Sequence, residues 1–374
     1  MNFLITRQIS NYPLLTLRQI ISLVCKLKAD KNLHSNITLI SSARSAIKIW
    51  IQENLAEDDQ IYIPSYICAD VTIPLTEAGR LITYYPCKEN LEPDWEWLEN
   101  NITIDCKALL LVHYFGFPNS IDYALTFSKK HNIILLEDCA HSFLTRVHDK
   151  SIGTFGEAGF YSYHKLLPIP DGAGIYDQRT NDTELQKYFV QNNQIRPLDW
   201  PKRLMIVTMY KLHMPRLVWS LLASSYNQLI PLQTPKPPSS ISKLSKKILY
   251  SYENNFDDLI ELRRYNYELL VNELKDIEDC ALLFPSLDKG VCPYALPLLV
   301  ENADQYILLL NKQGVPAQKW PELPEDVIND SICSVSTNYA SRLILLPIHQ
   351  TLNTKAIYKI ANAFKSANQT TERL

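Results

Sequence analysis

Asp138 and Lys165 are the residues of this chain whose types and positions best suit covalent chemistry. Asp138 ends the apolar run IILLED, where an unpaired carboxylate would be costly to bury, so it needs a cationic partner. Lys165 follows the aromatic, alternating segment YSYH and precedes a Pro-rich turn. If both segments are strands of one parallel sheet, their ends share the edge at which such sheets bind ligands.

A lysine at such an edge can form a Schiff base with an aldehyde, and an acid opposite it can keep a pyridine nitrogen protonated. These are the two groups that pyridoxal phosphate requires. Five of the nine glycines fall between Gly153 and Gly174, which concentrates backbone freedom near Lys165. The alternative is an exposed loop lysine that pairs with Asp171. Glu137 is expected to point away from Asp138 and to be structural.

A phosphate group needs hydrogen-bond donors, and residues 41–45 offer them. Ser42 is a natural N-cap for a helix over ARSAIKIWIQENL, so its turn presents backbone N–H groups, serine hydroxyls and the Arg44 guanidinium to an anion. Helix capping alone would also explain Ser42. Ser162 shares a face with His164 if the strand continues, and its hydroxyl is a further candidate phosphate ligand.

The elements that must position these residues alternate between apolar strands and helices. Strand patterns fall at ITLI, QIYIPSY, RLITYYP, KALLLVHYFG and NIILLEDCA, with helical patterns between most of them. This alternation predicts an α/β domain with a mostly parallel sheet covered on both faces by helices. From Gly153 onward, short glycine-punctuated strands predict hairpins packed against that sheet.

These patterns predict a division of the chain into three parts. We expect an N-terminal helical segment at 1–35, a large α/β domain at 36–250 and a small α+β domain at 251–374. Within the large domain, an apolar insertion at about 200–240 is interpreted as a lid or a subunit contact. A helix resting on a membrane surface is the alternative for that insertion.

Composition restricts the class of function. With 37 basic and 40 acidic residues the net charge is -3, so nucleic acid is not an expected partner and membrane contact is not expected either. The eight cysteines are scattered without a CxxC pair, which predicts reduced thiols and no metal site. Because the sequence has neither a signal-peptide pattern nor a membrane-length apolar run, we expect a cytoplasmic protein.

The chain resembles the fold-type-I pyridoxal-phosphate enzymes of the DegT/DnrJ/StrS type, the nucleotide-sugar aminotransferases. The resemblance covers roughly residues 36–180 and 256–365, and its most specific parts are IYIPSYICADV, LLLVHYFGFP, IILLEDCAHSF, GTFGEAGFYSYHK and RLILLPIHQ. It implies that Lys165 carries the cofactor, that Asp138 pairs with the pyridine nitrogen and that His141 lies near the cofactor ring and its hydroxyl. Ser162 would help to hold the phosphate.

The same resemblance assigns the turn of Ser42, Ala43 and Arg44 to the phosphate, although Gly-Thr is usual where Ala43-Arg44 stands. Cys68 stands where an aromatic ring usually stacks on the cofactor, so Tyr66 or His141 is expected to do so here. The serine-to-lysine spacing is shorter than in the best-known sugar aminotransferases. The asparagine-arginine loop through which such dimers complete each other's sites is not recognisable.

The function implied by the resemblance is a homodimeric, pyridoxal-phosphate-dependent aminotransferase. It would move an amino group from an amino-acid donor such as glutamate to a nucleotide-linked keto sugar, in polysaccharide or amino-sugar biosynthesis. Candidate substrate residues are His113, Tyr114, His164 and His349. Two alternatives stay open: a dehydratase on the same scaffold, which in this family carries histidine in place of the lysine, and a non-catalytic binding or regulatory protein.

Overall fold

The computed structural model describes residues 9–10, 12–14, 37–179, 238–253 and 255–371. Most of the predicted N-terminal helical segment and of the apolar insertion at 200–240 lies outside the described residues. The two expectations about them therefore stay predictions.

The larger sheet gathers strands from the first half of the chain. Its strands are β1 (Ile37–Ile40), β2 (Gln60–Pro64), β3 (Leu81–Tyr85), β4 (Cys106–Val112), β5 (Ile134–Cys139), β8 (Ala158–Ser162) and β9 (Ala173–Asp177), with a separate hairpin of β6 (Arg146–Val147) and β7 (Lys150–Ser151). The seven strands lie in the order β1-β9-β8-β5-β4-β2-β3. Pairing is parallel from β3 to β8 and antiparallel at β9, so the predicted mostly parallel sheet is confirmed.

Helices connect these strands and cover the sheet. They are α1 (Ala43–Asn54), α2 (Ala69–Glu77), α3 (Trp95–Asn101), α4 (Ile121–His131) and the single turn α5 (Tyr163–Leu166). Ser42 caps α1 as predicted, because its side chain accepts a hydrogen bond from the Ser45 N–H. The buried face of α1 carries Trp50, whose ring meets Phe160 of β8 edge-on and whose Nε1 donates to Asp177.

The second half of the chain forms a smaller antiparallel sheet with its own helices. Its strands are β10 (Ala281–Leu282), β11 (Ala295–Leu299), β12 (Gln318–Lys319) and β13 (Leu343–Pro347), in the order β10-β11-β13-β12. The helices are α6 (Lys243–Glu253), α7 (Phe256–Leu274), α8 (Ala303–Lys312), α9 (Glu325–Ile328), α10 (Ser334–Arg342) and α11 (Thr354–Thr371). The division of the chain near residue 250 stays a prediction.

Residues 9–10 contact loops next to this smaller sheet. The Ile9 N–H donates to the carbonyl of Gly314, and His349 donates from Nε2 to the carbonyl of Ser10. Across the described residues, no helix has both the length and the apolar character needed to cross a bilayer.

Candidate active site

Lys165 lies at the carboxyl edge of the larger sheet, but it stands on a helical turn and not on a strand. β8 ends at Ser162, whose backbone is still extended, and α5 begins at Tyr163. The turn is closed by the Leu167 N–H, which donates to the carbonyl of Tyr163. The expectation that β8 continues past Ser162 is therefore wrong. The reason is that Tyr163 and Leu166 both bury their side chains, which requires helical spacing and not alternation.

The amine of Lys165 contacts His141, and the pKa of each group is lowered, chiefly by burial. Lys165 Nζ lies 2.9 Å from His141 Nε2. Burial lowers the pKa of His141 well below its usual value, and the charge of Lys165 lowers it further. His141 is therefore neutral near pH 7, and its Nε2 accepts a hydrogen bond from the lysine. Partial burial also lowers the pKa of Lys165, which Asp138 opposes.

Asp138 comes from the end of the neighbouring strand β5 and is buried. Its Oδ1 accepts the N–H of Ala140, and burial raises the pKa of the carboxyl while the charge of Lys165 lowers it. Asp138 and Lys165 do not form a contact ion pair. The predicted cationic partner of Asp138 is thus Lys165 acting across a gap, and the carboxylate retains capacity for a further hydrogen-bond donor.

Glu137, the residue before Asp138, binds the glycine-rich loop from the other face of the strand. Its Oε1 accepts the N–H groups of Phe155 and Gly156, and its Oε2 accepts the N–H of Gly153. A Cβ added to Gly159 would lie 2.0 Å from the carbonyl oxygen of Gly153. The glycines near Lys165 therefore let the loop wrap a buried carboxylate and pass close to β8.

His113 completes this network, and its burial and its bond to Glu137 argue against the predicted substrate role. Its Nδ1 accepts the N–H of Asn119, so Nε2 carries the proton and donates to Glu137 Oε2 at 3.2 Å. The side chain is fully buried beside β4. One ligand atom each from His113, Glu137 and Cys139 lies within 4.8 Å of the others, but the carboxylate is already committed to these donors.

The other predicted residues on this side of the sheet have structural partners. Tyr114 donates to the carbonyl of Tyr66, and Tyr66 donates to the carbonyl of Trp320, with both rings buried in one aromatic cluster. The Tyr66 ring packs against those of Tyr114 and Trp320. Cys68 is half-buried at the start of α2, close enough that the charge of Lys165 opposes the rise in its thiol pKa caused by burial.

His141 stacks on aromatic rings of the protein itself, and which residue stacks on the cofactor ring stays a prediction. Its ring is parallel to that of Tyr294, at 4.7 Å and 2°, and nearly parallel to that of Phe115, at 5.6 Å and 17°. Trp320 closes the cluster edge-on at 4.9 Å. The imidazole is thereby fixed in one orientation beside Lys165.

The predicted phosphate turn is formed, and its charged residue has a protein partner. Ser42 Oγ caps α1 and donates to Ser45 Oγ, so it is engaged locally. Arg44 pairs with Asp70 at 2.6 Å on the partly exposed rim, while its Nε is buried without a partner among the described residues. Ala43 opens α1. The turn retains backbone N–H groups that an anion at a helix N-terminus can use.

Ser162 and the remaining histidines lie around the same edge. Ser162 Oγ is 3.1 Å from His164 Nδ1, and the His164 side chain is exposed. Asp171 binds Ser242 and Ser245 at the start of α6, so the alternative in which it pairs with Lys165 is wrong. His349 lines the same cleft as Lys165 but is held by Ser10 and Thr351.

The smaller sheet supplies site residues that the sequence did not reveal. Tyr294 precedes β11, Trp320 follows β12, and Arg263 and Lys165 line one cleft together with Tyr294. One feature of the sequence could have singled out Arg263 as a site residue. It is a charged residue on the stripe of α7 that buries Leu259, Tyr267 and Leu270, where an unpaired cation is not expected.

Comparison with known proteins identifies relatives for this arrangement. The model of the DegT/DnrJ/EryC1/StrS aminotransferase family matches residues 38–191. A GDP-perosamine synthase of Escherichia coli O157:H7 is 26% identical over 153 residues, which cover 39% of this chain and 41% of that protein. A dTDP-4-dehydro-2,3,6-trideoxy-D-glucose 4-aminotransferase of Saccharopolyspora spinosa is 21% identical over 88% of this chain and 84% of that protein.

Solved structures share the fold over nearly the whole chain. The aminotransferase TlmJ from Streptoalloteichus hindustanus superposes with a TM-score of 0.73 at 15% identity, covering 97% of this chain and 100% of that one. An E. coli GDP-4-keto-6-deoxy-D-mannose-3-dehydratase with bound hydrated PLP gives a TM-score of 0.68 at 17% identity, covering 96% and 99%. The fold is that of the fold-type-I aminotransferases, as the sequence predicted.

Proposed function

We propose that this chain is a pyridoxal-phosphate-dependent aminotransferase of the DegT/DnrJ/EryC1/StrS family, because residues 38–191 match the model of that family. It transfers an amino group from an amino-acid donor, glutamate in the simplest case, to a keto sugar. A nucleotide-linked sugar is the expected acceptor, because the named relatives act on GDP- or dTDP-linked sugars. The matched segment is 41% of the first relative, so the activity of the whole protein is a proposal.

One observation carries the proposal. A lysine with a lowered pKa lies 2.9 Å from a neutral, stacked imidazole, and a buried carboxylate acts on the same lysine across a gap. The lowered pKa favours the nucleophilic, neutral amine. The carboxylate accepts a single backbone N–H among the described residues and can accept a pyridinium N–H as well. These residues fit pyridoxal phosphate.

The roles follow from this geometry. Lys165 would hold the cofactor covalently and then, once released, move a proton at its Nζ. Asp138 would keep the pyridine nitrogen protonated, and His141 would lie beside the ring and its hydroxyl. When bound, the cofactor supplies an electron sink for the donor's Cα. The N-terminus of α1 at residues 42–44, with Ser162, would bind the phosphate.

The dehydratase alternative is less well supported by the arrangement. A 3-dehydratase shares the fold, so the fold does not separate the two reactions. Lys165, not a histidine, contacts His141, while the neighbouring His164 is exposed and bound to Ser162. A lysine in this place can return to the cofactor after each turnover, as amino transfer requires. A lysine of lowered pKa beside a buried acid and a neutral imidazole favours an enzyme over a non-catalytic protein.

The first experiment locates the cofactor. Purified protein is incubated with pyridoxal phosphate, reduced with borohydride and mapped by peptide mass spectrometry, with the pyridoxyl group expected on Lys165. Lys130, which pairs with Glu99 on the surface, serves as the control position. A label on Lys130, or none on Lys165, would remove the basis of the proposal.

The second experiment tests the reaction. Wild-type protein should convert its cofactor to the amine form with glutamate and should then aminate one of a panel of nucleotide-linked keto sugars. Lys165→Ala should abolish multiple turnovers, and Asp138→Ala should lose nearly all of the rate because a neutral pyridine is a poor electron sink. If Lys165→Ala still eliminates water from a hydroxylated sugar, the dehydratase alternative replaces this one.

The assembly and location of the protein are proposals that rest on the family alone. We propose a homodimer in the cytoplasm, with no nucleic-acid partner. Light scattering coupled to size-exclusion chromatography tests the dimer, and a monomer at the concentrations used for the activity assay would contradict it.

A further inference from the structure

Arg263 is a buried cation, and within the described part of the chain all of its hydrogen-bond partners are neutral. Its side chain is 1% exposed on the inner stripe of α7. Nε donates to Gln350 Oε1 at 2.9 Å, and the two Nη groups donate to three backbone carbonyls. A charge is costly to bury in such a place. We therefore ask which parts of the structure its hydrogen bonds fix that an apolar side chain could not.

One group of these bonds holds the turn that carries Lys165. The carbonyl of Leu166, the last residue of α5, accepts Arg263 Nη2 at 3.4 Å and Gln350 Nε2 at 3.0 Å. Gln350 is itself held by Arg263 through its Oε1. The final carbonyls of a helix lack partners within the helix. Arg263 and Gln350 together bind that carbonyl and so fix the end of the turn next to Lys165.

The other group holds the residue that stacks on His141. Arg263 Nη1 donates to the carbonyls of Pro293 and Tyr294, at 3.1 and 3.0 Å. The Tyr294 N–H donates to the carbonyl of Phe115 at 2.7 Å, so the backbone of Tyr294 is fixed on both sides. The Tyr294 ring then lies flat on His141.

We propose that Arg263 is a positioning residue that sets the contact between Lys165 and His141. It holds the turn of Lys165 through Leu166, and it holds the imidazole of His141 through Tyr294. The consequence for catalysis rests on the proposed amino transfer, while the consequence for geometry does not. Arg263 does not touch the reacting atoms.

The fork shape of the guanidinium, and not its charge, is what this role requires. Arginine presents five N–H donors in a fixed plane and here reaches four acceptors on three segments of the chain. A lysine would place a single ammonium at the end of a flexible stem. Arg263→Lys is therefore expected to keep the charge and to lose the positioning.

Arg264 provides a matched control. It follows Arg263 on α7 and also donates to backbone carbonyls of the segment before β11, those of Asp288 and Val291. Its side chain is partly exposed, and among the described residues it donates no hydrogen bond to α5, Tyr294 or Gln350. Arg264→Gln therefore removes bonds between α7 and the segment before β11 but leaves the contacts with α5 and Gln350 in place.

The first test does not need the cofactor. Hydrogen exchange of the peptide over residues 161–169 is measured by mass spectrometry in wild-type protein and in the Arg263→Gln, Gln350→Leu and Arg264→Gln variants. The amide of Leu167, bonded to the carbonyl of Tyr163, should lose protection in the first two variants and keep it in the third. Equal protection in all four proteins would overturn the proposal. Gln350→Leu keeps the test valid if Arg263→Gln does not fold.

The second test uses the protein loaded with pyridoxal phosphate and glutamate as the donor. Arg263→Gln and Arg263→Lys should lower kcat by about tenfold to hundredfold with KM for glutamate nearly unchanged, because a small displacement of a reacting group is costly in rate. Arg264→Gln should match the wild type. Full rescue by Arg263→Lys would show that charge alone matters and would overturn the proposal.

The two failures are distinguishable. If wild-type protein binds no pyridoxal phosphate at Lys165, the proposed function fails, and the exchange experiment alone decides the role of Arg263. If wild-type protein reacts with glutamate and the Arg263 variants react equally fast, the proposed function stands and this inference is wrong.

Discussion

Replacing Glu137 with glutamine should destabilise the fold strongly, although the two side chains have the same shape. The carboxylate accepts two N–H donors at each oxygen: Phe155 and Gly156 at Oε1, and Gly153 and His113 at Oε2. A glutamine has only one acceptor oxygen, so its amide NH₂ must face one of these pairs of donors. His113 cannot adapt by changing tautomer, because its Nδ1 accepts the N–H of Asn119.

The magnitude follows from the number of bonds lost. In either orientation of the glutamine amide, two hydrogen bonds to a charged acceptor are removed, and each contributes about 1.5–3 kcal/mol. Glu137 is fully buried, so water does not replace them. We therefore expect the free energy of unfolding to fall by about 3–6 kcal/mol, by the same arithmetic.

Urea-induced unfolding followed by far-UV circular dichroism measures this change, with Glu157→Gln as the matched control. Glu157 accepts one backbone N–H, that of Leu135, at Oε2, and a glutamine oxygen can accept the same bond. Glu157→Gln should therefore cost less than about 1 kcal/mol. If Glu137→Gln is no less stable than Glu157→Gln, the carboxylate does not organise the loop and the reasoning is refuted.

Three further changes test separate features. Gly159→Ala should lower the unfolding free energy by about 3 kcal/mol, because the new Cβ would meet the Gly153 carbonyl oxygen at 2.0 Å, and an unchanged urea midpoint would contradict this. Burial lowers the pKa of His349 from 6.5 to about 3, so its contribution to stability is complete above pH 6.5 and is lost as the pH falls toward 3. His349→Gln should remove about 2 kcal/mol of the stability lost between pH 6.5 and 5, and identical pH profiles would exclude the assignment. Arg44→Ala should weaken pyridoxal-phosphate affinity by about 1.5–3 kcal/mol if Arg44 binds the phosphate. Asp70→Ala, which frees Arg44 from its ion pair, should not weaken it, and equal affinity in the Arg44 variant would leave Arg44 as a partner of Asp70 only.

The alternating pattern of the first half of the chain was sufficient to predict the larger sheet. Apolar runs such as KALLLV are buried on both faces in a parallel sheet, and that burial leaves a continuous signal in the sequence. Helix α6 was not predicted, because SKLSKKILYSY carries several polar residues and its start depends on Ser242 and Ser245 meeting Asp171. Asp171 and Ser245 are 74 residues apart in the sequence, so no local pattern predicts their contact.

The candidate site was predictable where residue type and strand position agree. Asp138 and Lys165 meet at one sheet edge because parallel strands bring their carboxyl ends together. His113 satisfies the same positional rule at the end of β4, but its ring points to the Glu137 side of the sheet. A position at a strand end predicts the edge of the sheet at which a residue lies, but not the face to which its side chain points. The sequence pattern therefore could not decide on which side of the sheet His113 lies.

The contributions of the smaller sheet could not be read from the sequence. Tyr294 and Trp320 reach His141 from segments more than 150 residues away, and nothing in their neighbours distinguishes them from ordinary core aromatics. Their role depends on how the smaller sheet packs against the larger one. Local patterns carry no information about that packing.

The two neighbouring acids of β5, Glu137 and Asp138, have different roles: one supports the fold and the other lies at the candidate site. Glu137 and the glycines of its loop maintain the architecture, whereas Asp138 and Lys165 face the place where a reaction would occur. Neither of the latter two binds the glycine-rich loop, so a descendant of this chain that lost one of them would keep the contacts of Glu137 that hold that loop. In related sequences, the acid at position 137 with its glycines would thus mark common descent, whereas under the proposed function the pair at 138 and 165 would mark retained activity.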